Sequence, residues 1–252
     1  YHNPGGDGFW PAPEGSRAGY FYASGEWRVP PALTNARYRV VAQEGNSARI
    51  RAELDLVTST GIGAPTAFQR DISVASDGEA MSMTVTDTIE YLGARTLSAG
   101  EARIVPWTLA QFDTSPGMEV VFPAVPAESV CDLYEPAGDE RFMDGKLWHV
   151  RTQGGHRFQV GLASDVEWIE LRIPSQGMRI RRTNELGDST QGYIDIADRP
   201  PTDSPSPFAS RYSIYNDSGD FMEIEAAGAC PSELAPGAIM SHTVTTEFAP
   251  LG

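Results

Sequence analysis

The stretch that decides the fold class runs from Ala48 to Leu56 and reads ARIRAELDL. Every even-numbered residue in it is apolar and every odd-numbered residue is charged. Successive side chains of a β-strand point to opposite faces, so this pattern predicts a strand with one buried face and one face in water.

The same period of two recurs along the chain. Weaker versions occupy Met81–Glu90, Arg157–Leu162 and Thr243–Phe248, and turn-forming pairs such as Asp77-Gly78 separate the alternating runs. No long window free of Gly and Pro keeps the helical period of 3.6. We therefore expect an all-β protein built of antiparallel sheets, with helix content far below the usual third.

Composition restricts the partners. The chain has 252 residues, with 34 Asp and Glu against 19 Lys and Arg, which gives a formal net charge of −15. Phosphate backbones are held by clustered cations, so we expect no nucleic-acid partner. No run approaches the roughly 20 apolar residues that a spanning helix needs, so we expect no membrane insertion.

The organisation favours one domain over residues 1–252. Two segments read as long loops, the aromatic, Pro- and Gly-rich region 1–33 and the Pro-rich region 185–210. Long ordered loops in compact β proteins often carry the binding site.

The start of the chain and its two cysteines bear on location. The sequence opens at Tyr1 without an initiator Met or a signal-peptide pattern, so we expect a processed or truncated chain. Cys131 and Cys230 match no metal spacing, and a disulfide and two free thiols are both open. A disulfide would indicate an oxidising compartment, and we expect a secreted or periplasmic protein.

Aromatic residues dominate the first loop region. Trp10 and Trp27 sit among Pro and Gly residues, with Arg28 beside Trp27. Flat apolar rings on a stiff loop suit stacking on sugar rings, and they also suit sealing the end of a sandwich. Trp10, Trp27 and Arg28 are candidate substrate-binding residues.

Five short motifs occur in a characteristic order. They are the Gly5-Gly6-Asp7 turn leading into Trp10-Pro11-Ala12-Pro13, Gln69-Arg70, Pro106-Trp107, Glu223-Ile224-Glu225 and Leu234-Ala235-Pro236-Gly237. In this order they resemble bacterial proteins of the galactose-mutarotase-like, or aldose-1-epimerase-like, β-supersandwich group. The resemblance implies a large antiparallel sandwich whose concave face receives carbohydrate. It also implies strands before the Gly-Gly-Asp turn, so we expect this chain to lack its first strands.

Candidate catalytic residues follow from the chemistry of that group. Exchange at an anomeric carbon needs a general base and a general acid, a carboxylate and a His in true mutarotases. Glu223 and Glu225 point to one face of a strand and are the carboxylate candidates, with a solvated strand face or a structural role as the alternative. The His-x-Tyr-Phe segment of the mutarotases is absent. His156, at a Gly-rich turn, is the acid candidate among His2, His149, His156 and His242.

Three more residues are candidates for substrate binding. The resemblance places Arg70 on a central strand, where its fork suits sugar hydroxyls or a carboxylate; pairing with Asp71 or Glu90 is the alternative. Trp107 and Gln111 suit a platform and an amide in a sugar site, with Trp107 in the core as the alternative.

The predicted function is binding of, or action on, a neutral sugar or glycan at the concave sheet face. As an enzyme the protein would be epimerase-like or lyase- or hydrolase-like, using carboxylate acid–base chemistry. The alternative is a non-catalytic binding or structural subunit of an extracellular assembly, completed by its own N-terminal segment or an assembly partner. No metal or cofactor motif is present, so none is expected.

Overall fold

A computed structural model describes residues 5–186 and 191–252. His2 and the parts of the two predicted loop regions that fall on residues 1–4 and 187–190 lie outside the described residues. The strands are β1 (Gly6–Ala12), β2 (Arg39–Glu44), β3 (Ser47–Val57), β4 (Gly63–Asp77), β5 (Ala80–Tyr91), β6 (Leu97–Ser98), β7 (Val105–Asp113), β8 (Glu119–Pro123), β9 (Val130–Asp132), β10 (Arg141–Asp144), β11 (Leu147–Arg151), β12 (Phe158–Leu162), β13 (Ile169–Ile173), β14 (Met178–Asn184), β15 (Tyr212–Asn216), β16 (Phe221–Ala227), β17 (Glu233–Leu234) and β18 (Ile239–Pro250). The helical segments are α1 (Pro31–Thr34) and the 3₁₀ turns Ala127–Ser129, Gly138–Glu140 and Pro174–Gln176.

Two antiparallel sheets form the body of the protein. Sheet A has the strand order β1-β7-β16-β15-β12-β9, and sheet B the order β10-β11-β8-β13-β14-β18-β5-β4-β3-β2. Strands β6 and β17 pair separately. The prediction of an all-β, antiparallel architecture with little helix is confirmed.

Strand β3 covers the stretch that decided the fold class. Its residues Ala52, Leu54 and Leu56 are buried, and the charged Glu53 and Asp55 between them are exposed. The hydrophobic face of the strand is therefore the one that the alternation predicts.

The main core lies between the sheets. Apolar side chains from alternate positions of both sheets meet there; they include Val160, Ile214, Met222 and Ile224 of sheet A and Leu171, Ile180 and Val244 of sheet B. The intervening side chains of sheet A, such as Gln159, Glu223 and Glu225, consequently point away from sheet B.

Two loop segments cover that outward face of sheet A. The backbone N–H of Ser16 donates to the carbonyl of Arg199 at 2.8 Å, which joins the segment after β1 to the Pro-rich segment. The expectation that all of region 1–33 is loop is wrong, because Gly6–Ala12 pairs with β7 as an edge strand.

The two cysteines, Cys131 and Cys230, are both free thiols.

Candidate functional site

A row of polar residues crosses the outward face of sheet A. Gln159, Tyr215, Glu223, Gln111 and Gly6 are successive cross-strand partners on β12, β15, β16, β7 and β1. Neighbouring partners on one sheet face lie within contact distance. The row therefore brings Gln111 and Glu223, both predicted site residues, side by side.

Two adjoining cavities open above this row. The larger has a volume of about 460 Å³ and is lined by β1, Gln111, Glu223 and Tyr38. The smaller has a volume of about 90 Å³ and lies over Glu223, Glu225 and Gln159. The two share Trp10, Leu109 and Glu223 in their walls, so they form one cleft with Glu223 at the junction.

The predicted carboxyl pair lies in this cleft. Glu223 and Glu225 are 7% and 1% exposed, so the alternative of a solvated strand face is wrong. The Glu225 carboxyl accepts hydrogen bonds from Trp107 Nε1 at 3.2 Å, from Gln159 Nε2 at 2.9 Å and from Ser213 Oγ. Burial and then the neighbouring Glu223 carboxyl, which hydrogen-bonds to it, raise the pKa of Glu225 well above its usual range.

A third carboxyl group, Glu14, lines the smaller cavity and was missed from the sequence. It is 7% exposed and accepts a hydrogen bond from Trp27 Nε1 at 2.6 Å. Burial, followed by the negative charge of Asp198, raises the pKa of Glu14 to about 8. The available signal was a Glu directly after the apolar Trp-Pro-Ala-Pro run, where a charge is costly to bury.

Arg157 is the cation of the smaller cavity, and it was also missed. Its guanidinium donates to Tyr215 Oη at 3.0 Å and to Asp198 Oδ2 at 3.1 Å. It also lies 4.6 Å from the centre of the Tyr134 ring. Asp198 accepts a second hydrogen bond, from Tyr22 Oη at 2.6 Å. This contact joins the two loop regions that were expected to carry the site.

The predicted aromatic residues pack against each other at the cleft. Trp10 meets Trp107 edge-on at 5.9 Å and Phe21 at 5.0 Å, and Phe21 stacks on Trp27 at 5.8 Å. Trp107 is 2% exposed, and Trp10 and Trp27 are partly exposed. The rings pack at the end of the sandwich, and the three indoles also line the smaller cavity. Stacking on a sugar ring stays a prediction.

Arg70 lies elsewhere, which corrects the expectation that it positions substrate. It is buried between the sheets and its Nε and Nη2 each approach the Asp87 carboxylate at 2.6 Å. Its Nη1 lies 3.0 Å from Asp7 Oδ1. Its partner is thus neither Asp71 nor Glu90, which pair with other arginines. All three nitrogens are engaged, and Arg70 lines neither cavity.

Two other candidates also lie outside the cleft. His156 is exposed at the turn before β12, and its ring contacts Phe158, whose side chain belongs to the inter-sheet core. It therefore points to the opposite face from Arg157 and Gln159. Arg28 extends into water and pairs with the exposed Glu26 at 3.1 Å. Neither residue lines a cavity of the cleft.

Among the described residues, no group of three or more His, Cys, Asp or Glu side chains is arranged to hold a metal ion. A search of the same residues finds no helix long and apolar enough to cross a membrane.

The antiparallel sheets superpose on solved structures of one class: the chain has the galactose-mutarotase-like β-sandwich fold, as the resemblance predicts. A candidate aldose 1-epimerase from Escherichia coli K12 superposes with a TM-score of 0.54 over 96% of this chain and 84% of that one, at 14% identity. A galactose mutarotase-like protein from Clostridium acetobutylicum gives 0.50 over 97% and 79%, at 9% identity. No family model matches the sequence, and comparison with curated proteins gives no match.

Proposed function

We propose that the protein binds carbohydrate in the cleft on the outward face of sheet A. The observation that carries the proposal is the composition of the cleft, in which the indole rings of Trp10, Trp27 and Trp107 stand beside the buried carboxyls of Glu223 and Glu225. Apolar rings pack on the faces of a pyranose, and carboxyl groups accept hydrogen bonds from its hydroxyls.

The size of the cleft agrees with this ligand. The larger cavity, at about 460 Å³, lies within the range of small-molecule sites, which is about 300–1,000 Å³. Gln111 lines it, and the Gln111 Oε1 atom is buried without a hydrogen-bond partner. A sugar hydroxyl would supply the missing donor.

A glycan array followed by calorimetric titration of the best ligands tests the proposal. The neutral hexoses that the sequence suggests are the first ligands to titrate. We expect Glu223→Gln and Trp10→Phe to weaken binding by about tenfold or more, since each alters the wall that the two cavities share. The matched controls are Glu247→Gln and Trp168→Phe, whose side chains lie beside Arg179 and Arg181 away from the cleft. Equal losses in the controls, or no binding by the wild type, would contradict the proposal.

The hydrogen-bonded Glu223–Glu225 pair favours a second candidate function, acid–base catalysis on the bound sugar. Carboxyl groups with separated pKa values supply an acid and a base. Anomeric exchange measured by NMR tests it: Glu225→Gln should lower the rate by about 10²–10⁴-fold while binding persists. Wild-type exchange no faster than in buffer would leave the non-catalytic binding module.

Location and assembly are further proposals. We infer a secreted or periplasmic protein, and a role as subunit of an extracellular assembly is the alternative to a free binding protein. Fractionation of cells that express the native gene, with the chain followed by antibody, tests the location. Size-exclusion chromatography of the same fractions tests whether the protein is part of an assembly.

A further inference from the structure

The smaller cavity has about a fifth of the volume of the larger one, about 90 Å³ against about 460 Å³. It lies below the range of small-molecule sites, about 300–1,000 Å³, whereas the larger cavity lies within it. A ring in the larger cavity would extend only one substituent past Glu223 into the smaller one. The chemistry of the smaller cavity therefore determines which substituent that is.

Three hydrogen-bond donors that line the smaller cavity already have partners. The indole N–H of Trp27 donates to Glu14, and that of Trp107 donates to Glu225. The Gln159 amide N–H₂ also donates to Glu225. Since this bond fixes the orientation of the amide, its oxygen is the group left over.

That oxygen is an unpartnered acceptor. Gln159 is 2% exposed and lines the cavity, and its Oε1 atom is buried without a hydrogen-bond partner. A buried acceptor without a donor destabilises the folded protein, and a ligand that donates to it would remove that cost. The substituent that enters should therefore be a donor.

The ionisable groups of the smaller cavity restrict the chemical type of the substituent further. Among the described residues that line the smaller cavity, three carry carboxyl groups (Glu14, Glu223 and Glu225) and one carries a guanidinium (Arg157). Asp198 lies outside that wall and pairs with Arg157 at 3.1 Å. The cavity thus has more acidic than basic groups, and the raised pKa values of Glu14 and Glu225 mean that bound protons neutralise part of this excess. A cationic ligand can take the place of such a proton.

The aromatic walls act in the same direction. The rings of Trp27 and Trp107 line the cavity, and an ammonium group near an indole face is attracted by the ring quadrupole. A neutral hydroxyl group would donate to the acceptors, but neither the carboxyl groups nor the ring quadrupoles would attract it as they attract a cation.

We infer that the cleft selects an amino sugar, with the pyranose ring in the larger cavity and a free ammonium group in the smaller one. This inference rests on the proposed function and names its ligand class, in place of the neutral sugar expected from the sequence. The ammonium donates to Gln159 Oε1 and faces the carboxyl groups of Glu14 and Glu223.

Binding of a cation there has a measurable consequence. Burial and the charge of Asp198 raise the pKa of Glu14 to about 8, so this group is protonated at pH 6.5. An ammonium beside it lowers that pKa, and Glu14 gives up a proton as the ligand binds. A neutral sugar releases none by this route.

The experiment is calorimetric titration of the wild-type protein at pH 6.5 in two buffers of different ionisation enthalpy. The ligands are glucose, 2-amino-2-deoxyglucose, 6-amino-6-deoxyglucose and the N-acetyl derivative of each amine. We expect at least one amine to bind about tenfold or more tightly than glucose, with proton release. Its N-acetyl derivative should lose the gain, because it keeps an N–H donor and loses the charge.

Two variants separate the cavity from the overall negative charge of the chain. Glu14→Gln keeps the acceptor for Trp27, and it should reduce the preference for the amine and abolish proton release. Glu26→Gln, on the same loop but exposed, should leave both unchanged. A preference that survives Glu14→Gln would overturn the inference, because the overall charge would then be its source.

Two further outcomes distinguish failure of this inference from failure of the proposed function. Amines and glucose that bind with equal affinity would overturn this inference and leave the proposed function in place. If none of these ligands and no glycan on the array binds, the proposed function fails and the inference fails with it.

Discussion

Two clusters of buried charged residues lie on opposite faces of sheet A. The inter-sheet cluster contains Arg70, Arg182, Asp7 and Asp87, on the face toward sheet B. It has two guanidinium groups and two carboxyl groups, and each guanidinium approaches a carboxylate within 3.0 Å. The neighbouring His242 carries no charge, because burial and then Arg182 and Arg70 lower its pKa to about 3.

The cleft cluster, on the other face, differs in its balance. It has the carboxyl groups of Glu14, Glu223 and Glu225 against the guanidinium of Arg157, which already pairs with Asp198. The pKa of Glu14 and that of Glu225 are raised, by burial above all.

The difference supports a structural role for the inter-sheet cluster and the proposed binding role for the cleft cluster. Buried charges that balance each other hold elements in register, and losing one partner is expensive. Acidic groups buried together around a cavity have raised pKa values, and groups with perturbed pKa values are typical of sites that bind or react. The inter-sheet cluster fixes β1 against sheet B. The cleft cluster has buried carboxyl groups without a balancing number of cations, and a bound ligand can compensate for the cost of burying them.

The largest expected effect comes from breaking the balanced cluster. Arg70→Met removes both hydrogen bonds to Asp87 and the contact with Asp7, and leaves a buried carboxylate without its partner. We expect a loss of about 3–5 kcal/mol in the free energy of unfolding, measured by urea denaturation. Arg28→Met, which breaks the exposed pair with Glu26, is the control and should cost at most about 1 kcal/mol. Similar losses in both would contradict a structural role for the inter-sheet cluster.

The second prediction concerns the unbalanced cluster and pH. Glu14 has a folded-state pKa of about 8 against 4.5 in the unfolded chain, so the folded protein binds more protons between these values. Its contribution to stability is therefore complete below pH 4.5 and declines as pH rises toward 8, by at most about 1.4 kcal/mol per pH unit.

Comparison of the wild type with Glu14→Gln isolates this contribution. The two should differ least near pH 5 and the variant should gain stability relative to the wild type as pH rises to 8, as measured by urea midpoints. Glu26→Gln should follow the wild type throughout. Parallel curves for the wild type and Glu14→Gln would show that Glu14 is ionised in the folded protein.

The fold could be predicted because its signal is local. Alternation between apolar and charged residues is a property of neighbours along one strand, and it placed β3 and the common face of Glu223 and Glu225 correctly. The partner of Arg70 was within reach by the same reasoning. Asp87 lies in the apolar register of β5 between the buried Val85 and Ile89, where a charge needs a counter-charge.

The cleft could be predicted only in part because its other members come together through long-range contacts. Glu14, Arg157 and Asp198 belong to segments about 40 to 180 residues apart, and no local pattern aligns them. His156 illustrates the limit most closely. A Gly-rich turn indicates exposure, but the face to which a turn residue points depends on the register of the strand that follows.

The third prediction tests how the cleft holds its acid. Trp27→Phe keeps an aromatic ring to stack on Phe21 and removes the hydrogen bond to Glu14. That bond lowers the pKa of Glu14, so its loss should raise the pKa further and cost stability mainly above pH 7, by about 1–2 kcal/mol. Urea midpoints at pH 5 and pH 8 measure it. A loss of the same size at both pH values would indicate altered packing instead.

The smallest effect should come from His156, and its neighbour provides the contrast. His156→Ala keeps the backbone carbonyl that accepts from Asn216 and removes an exposed ring, so stability should stay within about 0.5 kcal/mol and sugar affinity should not change. Arg157→Met leaves Asp198 without its guanidinium partner, raises the pKa of Glu14, which Arg157 lowers, and should weaken sugar binding. Adjacent positions in the turn before β12 would then differ in effect because they point to opposite faces of sheet A. Weaker sugar binding in His156→Ala would place that histidine in the cleft and contradict the assignment of faces.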